Sequence, residues 1–267
     1  MGHATVFVNL EGFNFITDPV WASRVSPFTC IGPKRYRPPP CRIDQLPKLD
    51  FGVISHNHYD HMDRKAIKTI SQRFPDMKWF VPKGLKNTMR KFAHGNEIYE
   101  LIWGENFTLV RDGSQIQIWC VPAQHWSTRC IFDKDKSLWS GWAVTGQEKR
   151  FYFAGDTGFC EEEFGKIGRI LGPFDLAAIP IGCYTPRHIV KPQHINPEAA
   201  VKVHQLVRAK QSIGIHWGTY KMGSAEPYLE PKTLLAEEVA LAGLPADAMI
   251  TVEHGATWTE SKKKTTY

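Results

Sequence analysis

Short runs of alternating apolar and polar residues fill the first half of the chain, each bounded by turn-forming residues. Ala4–Leu10 and Phe13–Thr17 read as two strands joined by a Glu11-Gly12 turn. Phe51–Ser55, Lys78–Pro82, Ile98–Leu101, Phe107–Val110, Gln115–Val121, Trp139–Thr145 and Phe151–Ala154 read as further strands. Helical spacing falls between them, over about 63–74 and about 83–92. In the second half, Asp175–Pro180, Ser212–His216 and Met249–Glu253 are strand-like. One helix opens at Asn196-Pro197-Glu198, where Asn caps, Pro suits the first turn and Glu suits the helix dipole, and it reaches about Arg208. Another opens at Glu230-Pro231 and ends near Gly243. This interleaving predicts an α/β protein with sheets packed in the middle and helices outside. No linker divides it, so residues 1–267 read as one domain.

Pro19–Leu49 breaks the pattern. Pro38-Pro39-Pro40 exclude a helix or a central strand there. The segment reads as a solvated loop, or as a basic, aromatic arm through Lys34, Arg35 and Arg37 that touches a membrane or an anionic substrate. Lys262-Lys263-Lys264 read as a frayed tail.

Composition narrows the class. Apolar residues at 42% and charged residues at 22% exclude a disordered chain. The best apolar run, Leu176–Gly182, contains Pro180 and falls far short of the ~20 residues of a membrane span. A net charge of +6 weakly favours anionic partners. None of the six cysteines forms a CxxC pair, which argues against a thiolate zinc knuckle and for free thiols in a reducing, intracellular setting. Met1–Val6 does not read as a secretory signal.

The chemistry concentrates at His56-x-His58-x-Asp60-His61, directly after a strand. Four metal-binding side chains within six residues are hard to explain as packing, and His with Asp suits zinc or a similar divalent ion. His125, Asp156 and His216 each follow a predicted strand, where the ends of neighbouring strands converge.

These motifs resemble the metallo-β-lactamase superfamily. Longer strings narrow the resemblance: Ser55–His61, Gln124-His125-Trp126, Phe153–Gly158, Gly172–Gly182 and Ile215–Thr219, with Gly2–Thr5 and Tyr228–Pro231. They are similar to the N-acylphosphatidylethanolamine-hydrolysing phospholipase D family. That resemblance implies a metallo-β-lactamase fold, a four-layer αβ/βα sandwich. It implies two zinc ions, one held by His56, His58 and His125, the other by Asp60, His61 and His216, with Asp156 bridging. It implies a water activated between the metals that attacks phosphorus, with Asp156 handling protons, and substrate contacts from Tyr59 and His194. The products would be an N-acylethanolamine and phosphatidic acid.

Trp126, Ile131, Phe132, Trp139, Ile189 and Leu229 are candidate liners of an acyl groove. The resemblance also implies peripheral contact with Golgi or endosomal membrane on the cytosolic face, a homodimer contact, and a segment before Gly2 that relatives carry and this chain lacks. No nucleic-acid module is visible. The competing expectations are a nucleic-acid phosphodiesterase or a lactonase on the same fold, and an inactive scaffold.

Overall fold

A computed structural model describes residues 1–28, 30–93 and 95–260; the lysine-rich stretch 262–264 lies outside them. All twelve expected strands form: β1 Phe7–Leu10, β2 Phe13–Thr17, β3 Phe51–Val53, β4 Lys78–Pro82, β5 Glu97–Leu101, β6 Asn106–Arg111, β7 Ser114–Val121, β8 Gly141–Thr145, β9 Arg150–Phe153, β10 Phe174–Pro180, β11 Ala209–Ile215 and β12 Met249–Ile250. The helices are α1 Arg64–Arg73, α2 Lys86–Arg90, α3 Glu161–Ile170, α4 Arg187–Val190, α5 Pro197–Leu206 and α6 Glu230–Leu241.

The strands form two sheets. One runs β1-β2-β3-β4-β5, the other β12-β11-β10-β9-β8-β7-β6. From β2 to β5 the first sheet is parallel, as are β9 to β12 in the second. A parallel sheet needs both faces covered. Phe15, Phe51, Phe80, Trp142, Phe151 and Phe153 fill the space between the sheets and are fully buried, each contributing about 1.5–3 kcal/mol of burial. Ile67 and Ile70 of α1 cover the first sheet from outside, and α3, α5 and α6 cover the second. The result is four layers, as the resemblance implies.

At the end away from the site, two turns staple the sheets. Glu11, between β1 and β2, accepts backbone N–H bonds from Gln147, Glu148 and Lys149. Arg111 pairs with Asp50 and donates to the Gly12 carbonyl.

Three differences from the sequence reading have local causes. The first strand begins at Phe7 rather than Ala4, because Gly2 to Thr5 close a tight turn with His3 at φ 56°. The second helix begins at Lys86 rather than Lys83: Gly84 takes φ +92°, and Glu100 caps the amides of Gly84 and Lys86. The helix α3 carries no expectation from the sequence: Phe164, Ile167 and Leu171 keep helical spacing, but Gly165 and Gly168 lower its helix propensity. Gly168 is needed where α3 crosses α5: a Cβ there would stand 2.0 Å from the Leu206 carbonyl oxygen. At Gly165 the nearest atom would be the movable Arg169 guanidinium, 3.1 Å away.

The two glycines therefore respond oppositely to alanine. Helix propensity favours Ala by about 1 kcal/mol, and Gly165→Ala should raise the midpoint of urea unfolding. At Gly168, overpacking against backbone costs about 1–3 kcal/mol and wins, so Gly168→Ala should lower the midpoint. Equal shifts of the same sign would refute this account of the crossing.

Candidate metal centre

The C-terminal ends of strands from both sheets meet at one edge. There β2 delivers Asp18, β3 leads into His56–His61, β7 into His125, β9 into Asp156 and β11 into His216. Tight packing aims these side chains. The Trp142 indole N–H donates to the Ile54 carbonyl across the sandwich and holds the root of the histidine turn. Met62 and His61 donate backbone N–H bonds to the His58 carbonyl, which curls Asp60 and His61 back beside His56. Asp63 then caps α1 through the amides of Lys65 and Ala66, and its other oxygen accepts the amides of Trp21 and Ala22. Gly155 takes φ +62°, and a Cβ there would lie 2.8 Å from that of Ser55, so only glycine lets β9 turn Asp156 inward.

The seven residues expected to hold metal come together. His56 Nε2 lies 2.8 Å from His58 Nδ1, and His125 Nε2 lies 3.2 Å from that same atom. Asp60 Oδ2 lies 3.5 Å from His61 Nε2 and 3.4 Å from His216 Nε2. Asp156 Oδ2 stands between the two groups, 3.1 Å from His61 Nε2, 3.2 Å from His216 Nε2 and 3.8 Å from His125 Nε2.

This arrangement fits divalent cations. Neutral imidazole has one N–H, so three ring nitrogens converging on one point cannot all be satisfied by hydrogen bonds among themselves. His58 Nε2, His61 Nε2, both His216 ring nitrogens and Asp156 Oδ1 are buried without a partner. Spacings of 2.8 and 3.2 Å also suit nitrogens sharing an ion at about 2.0–2.1 Å. His56, His58 and His125 form one group able to hold a cation, and His3, Asp60, His61 and His216 form another.

Charge compensation without cations falls to imidazolium. Burial alone would raise Asp156, but His216 and His61 outweigh it and hold the carboxyl well below the usual range. Asp60 is held down in the same way, against burial, by His61, His216 and His3. Burial works against protonating His216, yet Asp156 and Asp60 push it up to about 9. His61 is also raised, against burial, by the same two carboxylates and Asp18. His56 and His125 are driven well down, mainly by burial.

Two further residues at the centre have no role assigned from the sequence, although His3 lies within the Gly2–Thr5 string. Asp18, fully buried at φ 34°, accepts from His61 Nδ1 at 2.7 Å, from the Ser55 amide at 2.6 Å and from its hydroxyl at 2.5 Å. Ser55 Oγ in turn lies 2.8 Å from His56 Nδ1. Such contacts orient ligand rings and fix their tautomers. His3 is the second, with Nε2 2.8 Å from Asp60 Oδ2. Asp18 falls between the strand Phe13–Thr17 and the irregular stretch from Pro19, and its partner His61 lies 43 residues away, so nothing local marks it.

The expected substrate residues are placed as follows. His194 stacks on His216 at 5.6 Å, and its buried Nδ1 has no hydrogen-bond partner. Burial lowers its pKa to about 4. The Tyr59 hydroxyl donates to the Arg129 carbonyl at 2.9 Å and its ring lies under the Arg129 guanidinium. Trp126 packs on His58. Arg35 is not part of a solvent-facing arm: it is buried, donating to the Val20 carbonyl and the Tyr220 hydroxyl.

A family model described as a beta-lactamase superfamily domain matches residues 13–217. "N-acyl-phosphatidylethanolamine-hydrolyzing phospholipase D 1" of Caenorhabditis elegans is 55% identical over 98% of this chain and 75% of its own length. "N-acyl-phosphatidylethanolamine-hydrolyzing phospholipase D, mitochondrial" of Saccharomyces cerevisiae is 35% identical over 88% of this chain, which spans half of the yeast protein's length, 50%. Among solved structures, the metallo hydrolase Igni18 of Ignicoccus hospitalis matches with a TM-score of 0.70 at 24% identity, covering 98% of this chain and 97% of its own; at that identity the likeness speaks for the fold.

Cation uptake should depend on pH in a fixed direction. Below about 9, His216 carries a proton that a cation must displace, and His61 is raised as well. Affinity should therefore rise with pH across the neutral range, by about tenfold per unit for each proton released. Competition titrations against a chelator, on chelator-stripped protein at stepped pH, would read this; a flat or falling profile contradicts the charge balance above.

Proposed function

The chain belongs to the beta-lactamase superfamily, and on that premise we propose that it hydrolyses N-acylphosphatidylethanolamine to an N-acylethanolamine and phosphatidic acid. It is a metal-dependent hydrolase of that superfamily. The observation that carries the substrate reading is the pairing of two adjoining donor groups about Asp156 with 55% identity to a relative bearing that activity in its name.

In this reading His56, His58 and His125 would hold one cation and Asp60, His61 and His216 a second, with Asp156 within reach of both groups. We take both to be zinc, which suits the nitrogen and oxygen donors. Bound there, the pair supplies a water of lowered pKa and neutralises charge on phosphate oxygens. The residues do the rest. Asp156 keeps its carboxylate ionised between the groups and orients the attacking water by accepting its proton's hydrogen bond. His194, beside His216 with Nδ1 unpaired and its ring kept neutral by burial, is placed to donate an N–H hydrogen bond to a phosphoryl oxygen. The water oxygen joins phosphorus, the bond from phosphorus to the ethanolamine oxygen breaks, and the proton ends on the N-acylethanolamine. Tyr59, tied to Arg129, shapes the wall on which substrate lies.

A diacyl substrate sits in a bilayer, and the rim of the centre suits one. Ile131 and Phe132 stand 91% and 81% exposed on the loop that Arg129 ties to the Asn57 and Met62 carbonyls. Phe28 and Ile31 stand exposed on the loop that joins Val25, packed with Tyr59 and Tyr220, to Lys34. Ile189 is exposed on α4, just before His194, and Leu229 beside Tyr228, whose hydroxyl bonds the Gly218 carbonyl. Lys34, Arg37, Lys134 and Lys191 are exposed on the same segments and suit anionic headgroups. Among the described residues, no helix is long and apolar enough to cross a membrane, so we assign peripheral contact through this rim. Nucleic acid has no part in this reading.

Two experiments test it. Zinc-loaded protein with N-acylphosphatidylethanolamine in mixed micelles should release both products in equal amounts, and in ¹⁸O-water the label should enter phosphatidic acid alone. Asp156→Asn should reduce the rate by about a hundredfold or more. Turnover of RNA or an acyl-homoserine lactone in place of the lipid would reassign the substrate. Separately, Ile131→Ser with Phe132→Ser should weaken binding to anionic vesicles by about tenfold or more, with hydrolysis of a soluble phosphodiester unchanged. Undiminished vesicle binding would remove that loop from the membrane contact.

A further inference from the structure

His3 lies outside the histidine turn and outside every strand, yet it is 4% exposed and reaches the second donor group twice. Its Nε2 lies 2.8 Å from Asp60 Oδ2. Its carbonyl accepts the backbone N–H of His216 at 3.0 Å. Its own amide donates to Thr219 Oγ1 at 2.5 Å, and Thr219 follows His216 by three residues. The ring packs 4.0 Å from that of His216 and edge-on to Tyr220 at 5.2 Å. The backbone at His3 takes φ 56°, which a β-carbon disfavours and which the surroundings must impose.

The proton position follows from the partner. An ionised carboxylate only accepts, so the N–H is on Nε2, and a nitrogen bearing hydrogen cannot also bind a cation. His3 thus braces the group rather than completing it, through the same Asp60 oxygen that faces His61 and His216. Asp18 does the same for His61. With His3 on Asp60 and His216, each member of the second group has a holder. Nothing in the first group, His56, His58 and His125, bonds to His3.

We propose that His3 is a positioning residue for the second donor group alone: its Nε2–H fixes the Asp60 carboxylate, its carbonyl fixes His216, and cation uptake by that group depends on both. The inference rests on the two-cation reading above. It makes the two halves of the centre unequal, one shaped by the histidine turn and β7, the other dependent on a residue brought in from the turn before β1.

Gln and Leu variants separate the possibilities. A glutamine amide nitrogen lies the same number of bonds from Cα as histidine Nε2 and can donate to Asp60, whereas leucine fills space without donating. Each protein would be stripped with a chelator, titrated with zinc against a chromophoric competitor, and analysed for bound zinc. The wild type should take two equivalents. In His3→Leu, one equivalent should weaken by about 10- to 100-fold and the other stay within about twofold; His3→Gln should restore the weakened one to within several-fold of wild type. Retention of both equivalents at full affinity in His3→Leu overturns the proposal. So does a loss in His3→Gln as large as in His3→Leu, which would make the imidazole itself a ligand. A wild type that takes fewer than two equivalents overturns the two-cation reading instead. Should His3→Leu not fold by circular dichroism, His3→Asn, whose amide stops one bond short, supplies the same contrast with His3→Gln.

Discussion

Asp60 and Asp156 are carboxylates shut away from water at the end of a β-sandwich, and their charge has to be answered in place. Leaving either uncompensated would cost several kcal/mol. The answer is assembled from the imidazoles of His61, His125 and His216, on three separate segments, which no local stretch of chain could supply. Much of the surrounding construction serves that demand. The two sheets point the C-terminal ends of their parallel strands at one edge, Trp142 ties one sheet to the histidine turn of the other, and Gly155 lets β9 pass close enough to Ser55 for Asp156 to face inward. A layered fold with both sheets fully covered is stiff enough to hold such an arrangement; a single sheet would not be.

The same demand explains the orienting contacts. A histidine that binds a cation must present the right nitrogen, and the other nitrogen is where the protein can enforce it. Asp18 does so for His61, and through Ser55 it reaches His56, so that one buried carboxylate bears on both donor groups. The histidine rings are therefore set by neighbours that hold no cation themselves.

What the sequence disclosed follows from how local each signal is. The histidine turn packs four donors into six residues, and His125, Asp156 and His216 stand at strand ends, so alternation and spacing sufficed to collect them. All twelve strands were legible for the same reason. Asp18 and His3 were not: each is single, each sits at positive φ, and its partners lie far away in the chain. Arg35 misled in the opposite direction, because a lysine- and arginine-rich stretch looks solvated until Tyr220 and Val20 are seen to enclose it. The helix α3 was hidden by Gly168, whose missing side chain only makes sense beside Leu206.

The exposed apolar side chains assigned above to the rim stand on loops and short turns: the loop with Phe28 and Ile31, the one with Ile131 and Phe132, the one-turn α4, and the approach to α6. The donor groups, by contrast, hang on strand ends and the turn beside them. Reactivity and molecular taste are thus written on different parts of the architecture. Connections can lengthen, shorten or be exchanged without disturbing a ladder. Descendants of this scaffold could accordingly acquire new clients by grafting loops alone, while inheriting the same inorganic engine untouched.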